Sequence, residues 1–212
     1  MLPSVICPPS EKTETTSNSK KRFSLSIIEL LSLPGLAARL MPPMGVAFFG
    51  SIVNVGIVIY ILGLQEQPTS DYGLVAASIS VGLVLGSILM QGITQQKTQL
   101  GIGLSGIISG LAIISLFQPW CIAFTMAAGF FLGVGNGGQN VFTTSLLMKT
   151  IPKTKRTKLI PSFVFCVYFF VFASYLAGLF ITQSNVIPLM ICGGGITILL
   201  GMFSLTRKPT SP

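Results

Sequence analysis

The chain of 212 residues contains no histidine, which removes the commonest general base and metal ligand. Charge is nearly as scarce. Asp, Glu, Lys and Arg together make up 8% of the residues, where a soluble domain carries roughly a quarter. With 50% hydrophobic residues and a mean hydropathy of +0.79, the chain cannot cover a water-facing surface with charge. Its solvent is lipid. Acids are rarer still, five against 13 bases, giving a net charge of +8. That excess does not point to nucleic acid, because the cations sit in the tails and between apolar runs rather than across a folded face. The four cysteines, Cys7, Cys121, Cys166 and Cys192, show no CxxC or other metal spacing. No paired carboxylates and no nucleophile–base arrangement are present. The glycine-rich stretches GVGNGG and Gly193-Gly194-Gly195 lie inside apolar runs and follow no strand. An enzyme is therefore not expected, nor any metal or cofactor. The first 22 residues hold no apolar core of a secretory signal.

What the sequence does have is six apolar runs, each long enough to cross about 30 Å of hydrocarbon. They cover residues 41–64, 72–93, 99–117, 119–148, 159–182 and 186–205, and none has a charged residue in its interior. Residues 1–22 read as a disordered polar tail. The segment 23–40, preceded by Lys20, Lys21 and Arg22, reads either as a short amphipathic helix on the membrane surface or as the frayed start of the first span. Residues 41–206 form the transmembrane domain, and 207–212 a second tail. With six spans, all 13 cations fall on one side, while Glu66 and Asp71 fall on the other. This segregation places both termini in the cytoplasm of a multi-pass protein of the cell membrane. The expected fold class is an all-α membrane bundle of six transmembrane helices preceded by an interfacial helix.

The most informative stretch is GFFLGVGNGGQNVFTTSLLMKTIPKTKRTK, residues 129–158. Gly129, Gly133 and Gly137 recur every four residues, so they share a helix face that admits another backbone. Gly133 is expected to tolerate no large side chain, whereas truncation of its neighbour Leu132 is expected to matter little. Gly82 with Gly86 and Gly106 with Gly110 repeat the small-residue spacing. Asn136 and Asn140 share the face next to the glycines, with Gln139 beside them, and Asn54 lies in the first run. Such amides in hydrocarbon must face protein or water. They are either interhelical glue or the polar wall of a solute pathway. The run closes on Lys153, Lys155, Arg156 and Lys158, the signature of a cytoplasmic loop.

The residues of runs two to five resemble the C-terminal half of a major facilitator superfamily transporter, in the multidrug and macrolide efflux branch. The similarity lies in YGLVAASISVGLVLGSILMQGI, in the 129–158 stretch and in the closing YLAGLF, over about 160 residues. Where that family has an Arg-Gly-Arg loop, this chain reads Lys155-Arg156-Thr157. Where its N-terminal half carries Asp-Arg and Gly-Arg, the chain reads Gly92-Ile93-Thr94-Gln95-Gln96-Lys97-Thr98, as C-terminal halves do. The segment before the first run resembles the linker between halves. The resemblance implies half of a facilitator-type bundle. Asn54, Asn136, Gln139 and Asn140 would face a cavity for a small solute. A second six-helix half, either another copy or a separate chain, would complete the transporter. The alternative is a non-transporting membrane protein, a truncated relic or an assembly factor.

Overall fold

The computed structural model describes residues 36–92, 98–119 and 121–206. The tails and residues 23–35 of the expected interfacial segment lie outside the described residues. Six helices and no strand occur among those described. Helix α1 (Leu36–Val58) continues as a π-helical segment (Ile59–Leu64). It is followed by α2 (Thr69–Gln91), α3 (Thr98–Leu116), α4 (Ile122–Thr150), α5 (Lys153–Gly178) and α6 (Val186–Thr206). Five of these are long and apolar enough to cross a membrane, so the chain is an all-helical, multi-pass membrane protein. The exception is α4. At 29 residues it has the length, but its centre carries Asn136, Gln139 and Asn140.

Two boundaries differ from expectation. Helix α1 begins at Leu36, so residues 36–40 are its first turn rather than part of a separate interfacial helix. Pro42 and Pro43 therefore lie inside a helix. Both are buried, and each withdraws one N–H from the ladder. The expected basic loop is also not a loop. Only Ile151 and Pro152 separate α4 from α5, so Lys153, Lys155, Arg156 and Lys158 form the opening turns of α5. Ile151 ends α4 in extended conformation, and Pro152 caps α5. Arg156 then folds back and donates from Nε to the Ile151 carbonyl (3.0 Å) and from Nη2 to the Met148 carbonyl. A cation here meets the carbonyl end of α4, which offsets its unfavourable place at the start of α5.

Helix directions follow from the glycines. Gly82 meets Phe130 and Gly86 meets Val134, so α2 and α4 run parallel. Gly101 meets Phe142 and Gly135 meets Ser109, making α3 antiparallel to α4. Gly103 meets Gly201 and Gly110 meets Gly194, making α6 antiparallel to α3. Gly193 packs on Phe49 and Gly178 on Val55, which sets α1 against α6 and alongside α5. Direction thus alternates along the chain. Arg39, Lys149, Lys153, Lys155, Arg156 and Lys158 end up at one end of the bundle, and Glu66 and Asp71 at the other. The pairing has an internal symmetry. Helix α1 packs on α5 and α6, α4 packs on α2 and α3, and α3 packs on α6. Exchanging helices one to three for four to six reproduces that set; the departures are the α1–α3 contact and that of the π-helical segment with α2.

The apolar core is split. One cluster, including Ile57, Tyr60, Phe117, Leu132 and Met190, fills the acidic half. Another, including Leu40, Ile102, Phe142, Leu147 and Leu159, fills the basic half. Between them lies a layer of buried small and polar residues: Ser105, Ser109, Gln139 and Thr143.

Candidate functional site: a polar cavity at mid-depth

Helix α4 presents three different faces. Gly129, Gly133 and Gly137 turn toward α2: a β-carbon on Gly133 would overlap the Ile79 carbonyl and lie 2.7 Å from the Leu83 nitrogen. Gly135 and Gly138 turn toward α3, where a β-carbon on Gly138 would sit 2.6 Å from Ser105 Oγ. Leu132, one residue from the first face, is 2% exposed and part of the core. The expectation that it could be truncated cheaply is therefore wrong. Glycines on one side bring α4 so close to its neighbours that the next position is enclosed as well.

The third face carries the amides. Asn54, Asn136, Gln139 and Asn140 line one half-open cavity of about 440 Å³. Helix α1 supplies Pro43, Val46, Ala47, Gly50, Ser51 and Asn54; α2 supplies Leu83; α4 supplies the other amides with Thr143 and Thr144; and α5 supplies Phe163, Val164, Val167 and Tyr168. No charged side chain is among them. Asn136 is the central residue of α4, about 21 Å from either end at 1.5 Å per residue. Its amide faces Gly50 of α1, whose missing side chain leaves the wall open: a β-carbon there would lie 3.6 Å from Asn136 Oδ1. The cavity thus sits at mid-depth and extends toward the basic end.

The amides differ in environment. Asn54 and Asn140 are exposed and Asn136 half-buried. Gln139 is 4% exposed, and neither its Nε2 nor its Oε1 has a hydrogen-bond partner among the described residues. Thr143 Oγ1 and Ser109 Oγ are likewise buried and unpaired. Other hydroxyls in the helices are satisfied locally. Ser51 donates to Ala47 O (2.7 Å), Ser87 to Leu83 O (2.8 Å) and Thr197 to Gly193 O (2.8 Å). A buried polar group left unpaired costs about 1–3 kcal/mol. The unpaired groups are therefore a feature of this layer and not of helical hydroxyls in general.

Gln91, a further amide in the apolar runs, lies exposed at the end of α2 and does not line the cavity. Thr143, Thr144, Ser51 and Tyr168 were not anticipated as wall residues. A signal existed for three of them, since Thr143 and Thr144 follow Gln139 and Asn140 by four residues and Ser51 precedes Asn54 by three. Among the described residues, no three Cys, Asp or Glu side chains converge as a metal site would require. Comparison with protein-family models, with curated proteins and with solved structures finds no match to this chain. The cavity is interpreted on its own geometry.

Proposed function

We propose that the chain moves a small solute across a membrane, as one six-helix half of a facilitator-type secondary transporter. The observation that carries this reading is the cavity itself. Four amides, drawn from the first and fourth helices, converge at mid-depth on a space of small-molecule size. Two further features support it. The pairing of helices is preserved on exchanging the first three for the last three, and alternating direction inverts one triplet relative to the other, as in repeat-built transporters. The small-residue crossings of α2 with α4 and of α3 with α6 bring these helices together as close pairs. In this reading the basic end is cytoplasmic, and α4 is a sixth span. The cavity's open side, flanked by α2 and α5, meets a second six-helix half: another copy or a separate chain.

The test is access. With the four native cysteines replaced, Asn136→Cys is expected to react with a small membrane-impermeant thiol reagent in intact membranes, although it lies at the bilayer centre. Leu85→Cys, on an exposed apolar flank of α2, is expected not to react. Failure of Asn136→Cys to react from both sides would make the amides interhelical glue and remove the transport reading.

A further inference from the structure

Gln139 gives the cavity a chemical preference. We infer that the site recognises a neutral solute carrying a hydrogen-bond donor beside an acceptor, such as a carboxamide, a lactam or the edge of a nucleobase. This rests on the cavity being a solute site, but not on the solute being carried across.

The argument starts from the two unpaired ends of one side chain. Gln139 Nε2 needs an acceptor and Oε1 a donor, and the two lie on one rigid plane. A carboxylate offers acceptors only, so it would leave Oε1 unpaired. An ammonium or guanidinium offers donors only and would leave Nε2 unpaired. A group with both, held in a plane, satisfies the two at once. Thr143 Oγ1, one turn further along α4 and also unpaired, adds a hydroxyl that serves either role.

The rest of the wall points the same way. No charged side chain faces the cavity to balance an ion, and an unbalanced ion gives up part of its hydration on leaving bulk water. Val46, Leu83, Phe163 and Val167 supply apolar and aromatic surface against which a ring or short chain packs. A site built around a polar pair discriminates sharply against analogues lacking it, because the protein's own groups are then left unpaired. Gln139 is therefore the specificity-determining residue, while Asn54 and Asn140 at the exposed margin are less selective.

Benzamide, benzoate, benzamidine and toluene share a ring and differ in the group it carries: amide, anion, cation or methyl. Thermal unfolding of the purified full chain in detergent should shift upward with benzamide and with none of the other three. In Gln139→Met, the unliganded protein should unfold at the same or a higher temperature, because an unpaired amide is gone. Its apparent affinity for benzamide should fall at least about tenfold. Equal shifts with benzoate or benzamidine would overturn the inference, as would a benzamide shift retained in Gln139→Met. A large drop in the unfolding temperature of Gln139→Met would also overturn it, since Gln139 would then be holding helices together. The ligand series is read on the unaltered chain and is independent of the variant. Benzamide selectivity without access at Asn136→Cys would leave this site standing and remove the pathway; access without selectivity would do the reverse.

Discussion

Individual residues on α4 show how narrowly the bundle is fitted. Gly133→Leu would place a branched side chain against the Ile79 carbonyl, and folded protein recovered in detergent should fall severely. Gly195→Ala, where a β-carbon meets nothing within 4 Å, should be neutral or stabilising by up to about 1 kcal/mol. Leu132→Ala, from the core, should cost about 2–5 kcal/mol. Thermal unfolding of the three variants checks the order, and equal tolerance of Gly133→Leu and Gly195→Ala would mean that the α2–α4 crossing is not close. The glycine face could be read from spacing alone, because only small residues at i and i+4 let backbones touch. The burial of Leu132 could not. Hydropathy gives the same value to a leucine facing lipid and to one facing protein.

Among the elements, the apolar runs fixed the number and order of the helices, because hydrocarbon demands internal hydrogen bonding over about 20 residues. Their ends were harder. Pro42 and Pro43 signal a helix stop, yet α1 passes through them, since its packing on α5 and α6 outweighs two lost backbone bonds. The cluster TIPKTKRTK has the composition of a loop, but two non-helical residues, Ile151 and Pro152, suffice to turn the chain. The geometry that cannot be seen in the sequence is Arg156 reaching back to the last carbonyls of α4. Arg156→Ala should lower stability by about 1 kcal/mol, a modest figure because the guanidinium is partly hydrated, and Arg156→Lys should recover part of it. Unfolding measurements that found Arg156→Ala silent would show that water serves those carbonyls equally well.

For the molecule as a whole, the separation of charge was the most legible property. Every basic residue described lies at the end opposite Glu66 and Asp71. Two single cysteines in a cysteine-free background, Ser70→Cys and Lys155→Cys, report its orientation. In intact cells an impermeant reagent should label the first and not the second, and the opposite pattern would invert the topology. The cavity was legible in part. Amides on the first and fourth runs were expected to converge, but the lack of partners for Gln139 depends on how the neighbouring helices pack around it, which no spacing in one helix encodes.

The unequal hydropathy of the helices has a consequence for biosynthesis. Helix α4 carries Asn136, Gln139 and Asn140 at its centre, and it touches α1, α2 and α3. When α4 leaves the ribosome, those three helices have already emerged. The nascent α4 is thus expected to enter lipid against a glycine groove that its predecessors provide. Integration tags placed after α4 should report poor insertion of α4 on its own and efficient insertion behind α1–α3. In the six-span reading, order of synthesis then becomes part of what makes the fold attainable: a polar centre can be carried into the membrane because its shelter arrives first.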